Sequence, residues 1–291
     1  SGDISVTRPG TYAVLVTSSN GCEVTTSVTV IQDIKAPGAT ATAGTLTCAN
    51  PSFTLTGASP LPTADVTWAW TGPTGATFNV QNPTVTESGT YTLVVTSVKN
   101  GCTSVANAEL LADKNAPVAT AASADTLTCK KTTIGITAGS SLAATYSWTG
   151  PSFASTLQNP VNVTLPGTYT VTVKANINGC TDTQSVEVVQ NIVAPDAVMK
   201  GDTLSCNRPS VPISVTTTAP GPRYSWSGPT GVLTNTTANP SVSNAGSYAV
   251  TVTGYNGCTT IATVAVLTDS VRAVISGTPS KVLTCTDKTV G

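Results

Sequence analysis

The feature that most constrains this chain is a motif that occurs four times. Gly-Thr-Tyr or Gly-Ser-Tyr is followed about ten residues later by Asn-Gly-Cys. The copies run from Gly10-Thr11-Tyr12 to Asn20-Gly21-Cys22, from Gly89-Thr90-Tyr91 to Asn100-Gly101-Cys102, from Gly167-Thr168-Tyr169 to Asn178-Gly179-Cys180, and from Gly246-Ser247-Tyr248 to Asn256-Gly257-Cys258. Their tyrosines stand 79, 78 and 79 residues apart. A fixed period of this size is the signature of an array of similar modules. Each copy reads as a β-hairpin. Tyr91, Leu93 and Val95 alternate with Thr92, Val94 and Thr96, and such period-two alternation marks a half-buried strand. Asn-Gly is a strong turn signal, because both residues tolerate positive φ. Six and eight residues beyond each Cys the chain is again apolar, as at Ala108 and Leu110 or Val186 and Val188. The second strand therefore buries one face too, and the cysteine lies in phase with it.

Composition narrows the function classes. At 291 residues the chain suits three or four small domains rather than one. Charged residues make up 9% and the net charge is −1, so there is no electrostatic footprint for nucleic acid or an anionic membrane. No apolar run approaches the length of a membrane span. Thr, Ser, Val, Ala and Gly dominate over helix formers, which favours an all-β protein. There is no histidine, so the common base for activating a nucleophile is missing and no enzyme is expected. The sparse carboxylates Asp65, Asp125, Asp182 and Asp202 are read as non-equivalent between modules. Calcium at the junction residues Asp33, Asp113 and Asp269 is disfavoured, because the third junction has Asn191 and no calcium-loop motif occurs. No metal and no cofactor are expected. The eight cysteines lack CxxC pairs and lie more than twenty residues apart, which points to disulfides and an oxidising, extracellular compartment.

The remaining landmarks keep the same period. Junctions recur as Asp33-Ile34-Lys35-Ala36-Pro37, Asp113-Lys114-Asn115-Ala116-Pro117, Asn191-Ile192-Val193-Ala194-Pro195 and, more loosely, Asp269 to Ala273. Proline makes them extended and stiff, so a semi-rigid rod is expected. Next come Leu46-Thr47-Cys48, Leu127-Thr128-Cys129, Leu204-Ser205-Cys206 and Leu283-Thr284-Cys285, then Trp70-Thr71-Gly72-Pro73, Trp148-Thr149-Gly150-Pro151 and Trp226-Ser227-Gly228-Pro229. Short strands at about ten-residue spacing with turn residues between them spell a β-sandwich. Trp70, Trp148 and Trp226, with Tyr12, Tyr91, Tyr169 and Tyr248, are expected in the core. Trp68, whose counterparts are Tyr146 and Tyr224, is the one indole set aside as a sugar-stacking candidate.

A Trp on the third strand and a Tyr opening the penultimate one resemble the core Trp and tyrosine corner of immunoglobulin-like domains. The cysteine departs from that pattern. It lies ten or eleven residues beyond the Tyr instead of two, so the usual inter-sheet bridge is ruled out. The full order of landmarks is similar to the tandem immunoglobulin-like, hyalin-related repeats of giant surface adhesins and fibres from bacteria that use type IX secretion. The resemblance covers the whole chain. It implies export, a cell-surface location and further modules outside this sequence, which begins in mid-pattern.

Two regular disulfide schemes are open. Each module could close on itself through Cys48–Cys102, Cys129–Cys180 and Cys206–Cys258, leaving Cys22 and Cys285 to pair outside the chain. Alternatively Cys22–Cys48, Cys102–Cys129, Cys180–Cys206 and Cys258–Cys285 would each cross a junction. The first scheme is preferred, because it ties the first strand of a module to its last and because the hyalin-type pattern implies the same. Its loops of 54, 51 and 52 residues would each contribute about 4 kcal/mol in the chain-entropy view.

The sequence thus predicts tandem immunoglobulin-like β-sandwich repeats of about 78–80 residues. Complete modules are expected at 36–115, 116–193 and 194–272, with the C-terminal part of one at 1–35 and the N-terminal part of another at 273–291. The expected function is the shaft of an extracellular bacterial adhesin or surface fibre. The alternatives are a carbohydrate-binding or spacer array of a secreted enzyme, or direct adhesion by the modules. Expected partners are neighbouring repeats of the same chain. Smooth Thr/Ser faces with little charge would also suit packing of identical chains into a multi-stranded fibre.

Overall fold

The computed structural model describes residues 3–277; the Leu283-Thr284-Cys285 landmark lies outside them. Among the described residues all regular structure is β except one 3-10 turn, Thr63–Asp65. Among these residues no helix is long and apolar enough to cross a membrane. The chain divides into two compact units. One comprises Ser1–Thr120, Gly139–Ser147 and Thr172–Gln184; the other comprises Ala121–Ala138, Trp148–Val171 and Ser185–Gly291.

In the first unit, strands Gly10–Thr17 and Glu23–Val30 form an antiparallel hairpin, with Tyr12 opposite Val28. This sheet has two strands only. Its alternation is intact, yet among the described residues no third strand or facing sheet covers Tyr12, Val14, Val16 and Val28, and all four are exposed. The core position expected for Tyr12 is therefore corrected: the ring is 37% exposed, although its hydroxyl still donates to the Arg8 carbonyl at 2.9 Å.

The same unit holds a complete sandwich. One sheet runs in the order Thr45–Thr47, Thr103–Asp113, Gly89–Ser97, Val66–Thr71, Thr77–Phe78. Facing it are two strand pairs, Thr40–Thr42 with Thr56–Ala58 and Phe53–Thr54 with Thr84–Val85. Alternate residues of these short strands point inward, so Leu46, Leu55, Trp70, Val85, Tyr91, Leu93, Val95 and Leu110 meet in one core. Burying each large side chain contributes roughly 1.5–3 kcal/mol. The Tyr91 hydroxyl donates to the Glu87 carbonyl at 2.8 Å, and Trp70 Nε1 donates to Gln81 O at 3.1 Å. Both polar tips are thus satisfied where burial would otherwise penalise them. Trp68 is buried as well, 8% exposed, and its Nε1 has no hydrogen-bond partner. It presents no open face on which a sugar could stack.

The second unit repeats this plan. Its five-stranded sheet runs Thr203–Ser205, Thr259–Asp269, Gly246–Thr253, Arg223–Gly228, Gly231–Leu233. Val198–Lys200 pairs with Ser214–Thr216 and Val211–Pro212 with Ser241–Val242 opposite, around Leu204, Ile213, Trp226, Tyr248, Val250 and Val266. Trp226 Nε1 donates to Thr237 O at 2.9 Å and the Tyr248 hydroxyl to Asn244 O at 2.8 Å. From the middle repeat, this unit also contains Trp148, which donates to Gln158 O at 3.2 Å, and Tyr169, which donates to Leu165 O at 2.8 Å.

One glycine explains why the Trp-x-Gly-Pro and Gly-x-Tyr landmarks travel together. A Cβ on Gly72 would lie 2.9 Å from the Tyr91 ring, and on Gly228 it would lie 2.5 Å from the Tyr248 ring. The tyrosine packs on bare backbone, and any side chain there would displace it. Trp226→Ala should cost about 3–5 kcal/mol through cavity formation and loss of the Thr237 bond. Hydrogen exchange read by mass spectrometry in rising urea should show the 194–272 segment unfolding first. A denaturation profile equal to that of the native chain would contradict this packing.

The feature that governs everything downstream is a parallel pairing. Thr45–Thr47 lies parallel to Leu111–Asp113, Leu127–Thr128 to Gln190–Asn191, and Thr203–Ser205 to Leu267–Asp269. Each Leu-x-Cys strand therefore runs the same way as the last strand of its own repeat. Its cysteine is delivered to the end from which the chain leaves for the next junction.

The Asn-Gly-Cys latch as candidate functional site

The parallel pairing decides the disulfides. Thr47 sits opposite Asp113, whereas Cys102 precedes Thr103 at the other end of the same strand. Ten residues of strand span about 33 Å, against a disulfide reach of about 7 Å between Cα atoms. Closure of Cys48 onto Cys102 within a repeat is geometrically impossible. The structure corrects both schemes. It joins Cys48 to Cys180 and Cys129 to Cys258, with Cα–Cα distances of 4.9 and 5.0 Å. Each bond takes the Leu-x-Cys strand of one repeat and the Asn-Gly-Cys hairpin of the following one. Cys22, Cys102 and Cys206 carry free thiols among the described residues.

Around Cys48–Cys180 the chain builds a seat with three points of attachment. The Ala49 N–H donates to the Asn178 carbonyl at 3.0 Å, beside the disulfide. The Asn178 side chain donates through Nδ2 to Asp113 Oδ1 at 3.0 Å and to the Asn115 carbonyl at 2.9 Å, and it accepts the Cys180 N–H at 3.0 Å. Asn178 is 2% exposed, and each of these bonds satisfies a group that burial would otherwise leave unpaired. Gly179 has φ +71, and a Cβ there would lie 2.7 Å from the Ala49 Cβ. The glycine is thus required twice, by the turn and by the approach of the neighbouring backbone.

The second bond reproduces the first. Lys130 N–H donates to the Asn256 carbonyl at 3.2 Å, and Asn256 Nδ2 donates to Asn191 Oδ1 at 3.0 Å and to the Val193 carbonyl at 2.9 Å. Cys258 N–H donates to Asn256 Oδ1 at 3.1 Å, and a Cβ on Gly257 would lie 2.6 Å from the Lys130 Cβ. The side chain that sequence reasoning assigned to a turn is in fact a clamp on the junction. Its signal was the constant spacing between each Asn and the junction before it.

The junction carboxylates also find their role here. Asp113 Oδ1 accepts from Asn178, and Asp33, Asp113 and Asp269 each accept a backbone N–H two residues on, as turn caps. Among the described residues no group of three or more His, Cys, Asp or Glu side chains could hold a metal ion. One carboxylate reading is corrected. Asp125 and Asp202 do occupy equivalent positions, each four residues before its cysteine, and pair with Lys131 and Arg208 two residues after it. These cationic partners hold both carboxyls below the usual carboxylate range. A lowered folded pKa makes such a pair stabilising above the ordinary carboxylate pKa, a contribution lost as pH falls through the folded value. Both pairs are solvent-exposed, so they trim the turn after the cysteine rather than hold the fold.

Asn178→Ala leaves the Cys180 amide and two junction oxygens without their partner. A loss of about 2–3 kcal/mol follows for a buried polar triad, with the disulfide still formed. Hydrogen exchange should accelerate at Cys180 while a thiol assay stays unchanged. Unaltered protection at Cys180 would contradict the clamp.

No protein-family model matches this chain, and no curated protein matches it. Solved structures with tandem immunoglobulin domains are similar in part. Immunoglobulin domains 1–5 of Sidekick-1 match 90% of this chain and 67% of theirs at 16% identity and a TM-score of 0.31. The three N-terminal domains of the bacteriophage RB49 highly immunogenic outer capsid protein match 81% of this chain and 99% of theirs, at 13% identity and a TM-score of 0.33. A Dscam structure matches 89% of this chain and 80% of its own, at 13% identity and a TM-score of 0.25. The immunoglobulin-like character rests on the chain's own sandwich, its buried Trp and its tyrosine corner.

Proposed function

We propose that this chain is part of the structural shaft of an extracellular bacterial adhesin or surface fibre, with repeats at 36–115, 116–193 and 194–272 as its working units. The observation that carries this reading is the latch, in which the disulfide and the Asn clamp couple one repeat to the next instead of closing a site within a repeat. Such coupling serves transmission of force and resistance to unfolding, which are the duties of a stalk. Disulfides of this kind persist in oxidising surroundings, which supports a location outside the cell. The low charge and the absence of histidine give ligand chemistry little to work with. Binding is delegated to another part of the assembly.

Immunogold electron microscopy on the producing cells, with antibodies raised against this chain, tests the reading. Label along extracellular filaments is the expected result. Label confined to the cell interior, or glycan-array binding by the isolated chain at micromolar concentration, would overturn it.

A further inference from the structure

Two half-latches in this chain are built but unjoined. At Leu204-Ser205-Cys206, Ser205 N–H donates to Arg208 O at 3.1 Å, the same turn that Thr47 makes with Asn50 at 3.0 Å and Thr128 with Lys131 at 2.8 Å. Leu204 is buried like Leu46 and Leu127, and Cys206 is exposed with a free thiol. At Asn100-Gly101-Cys102, the Asn100 Nδ2 already donates to the Lys35 carbonyl at 3.0 Å and Oδ1 accepts the Cys102 N–H at 3.0 Å. Here a Cβ on Gly101 would meet nothing within 4 Å, whereas those on Gly179 and Gly257 run into the strand they clasp. The unjoined copies thus share the internal geometry of the joined ones and lack only the other half. In both joined copies, the cysteine in the position of Cys206 is bonded to an Asn-Gly-Cys hairpin of the following repeat.

We propose that Cys206 is the docking point for the Asn-Gly-Cys hairpin of a further repeat following in the same polypeptide, and that Cys102 is the matching docking point for the Leu-x-Cys strand of a repeat preceding it. The bond forms by thiol–disulfide exchange with a small disulfide such as oxidised glutathione. The Cys206 thiolate attacks one glutathione sulfur and releases the first glutathione thiolate. The incoming hairpin thiolate then attacks the Cys206 sulfur and releases the second. Two protein thiols are oxidised, one glutathione disulfide is reduced, and the two protons leaving the protein thiols are taken up by the two glutathione thiolates.

The test uses the full chain with a second copy of residues 194–272 inserted between Arg272 and Ala273, refolded in a glutathione redox buffer. With the exposed Ser210→Thr and Val271→Ile marking the inserted copy by mass, non-reducing peptide mapping should find the original Cys206 bonded to the Cys258 of the inserted copy. Cys48–Cys180 and Cys129–Cys258 serve as internal controls of folding. A second variant carries Gly257→Val in the inserted copy alone. A β-branched residue at positive φ, pressed against the docking strand, should lower the yield of the Cys206 bond about tenfold. With the control bonds intact, three outcomes overturn the proposal: Cys206 recovered as free thiol or glutathione adduct, Cys206 bonded between molecules, or equal yield with valine.

Discussion

Stretching the oxidised chain by its ends should extend it to about 45 nm, and reduction should lengthen it to about 100 nm, at about 3.5 Å per residue. With both disulfides formed, the taut path consists of the residues up to Cys48, the stretch between Cys180 and Cys129 taken backwards, and the residues after Cys258. The distinctive result lies in the single-bond variants. The loops of 132 and 129 residues overlap, because Cys129 falls inside the first and Cys180 inside the second. Replacing Cys129 and Cys258 by serine leaves the 132-residue shortcut in place, so the chain gains only about 10 nm. Removing the remaining bond then adds about 45 nm. Two side-by-side loops would release equal lengths instead. Single-molecule force spectroscopy reads this directly, and equal steps on breaking each bond would eliminate the interlaced connectivity.

Reduction should also lower the melting temperature by roughly 10–20 °C. A closed loop of about 130 residues removes about 5 kcal/mol of chain entropy from the unfolded state, and a chain of this size shifts by roughly 2–4 °C per kcal/mol. The second bond adds less than the first, because its loop is already shortened. Each sandwich has a small core with few aromatics, so this share of the stability is large. Circular dichroism melts with and without a phosphine reductant measure it. Identical midpoints would show that the latch couples repeats without stabilising them.

What could be read from the residues alone was the part written in periodicity. Alternation after Tyr91 and Tyr248 specified strands and their inward faces, and Asn-Gly specified the hairpins, because these are local properties of the chain. The repeat length and the Trp and Tyr landmarks pointed to immunoglobulin-like sandwiches for the same reason. The partners of the cysteines were not legible. They depend on whether the Leu46-Thr47-Cys48 strand lies parallel or antiparallel to the last strand, and a three-residue strand carries no signal of direction. The parallel pairing of Thr47 with Asp113 moves Cys48 by the full length of a sandwich, turning closure within a repeat into a bond between repeats. Tyr12 was misjudged for a related reason, since a residue's phase says which face it occupies but not whether anything covers that face. The Asp125–Lys131 and Asp202–Arg208 pairs were missed because they were compared across all repeats. Among the described residues only two repeats have them, and the first carries Gly44 and Asn50 instead.

The two bridges also change what a broken peptide bond means. Between them run three separate stretches of backbone: from Cys48 to Cys129, from Cys129 to Cys180, and from Cys180 to Cys258. A protease that cuts one stretch leaves two intact, and cuts in any two stretches still leave the ends of the molecule in one covalent piece. The junctions at Asp113–Pro117 and Asn191–Pro195, exposed at 114–116 and 192–194, fall in different stretches, so both can be severed without parting the chain. Durability here is a property of the wiring rather than of any one domain's resistance to digestion.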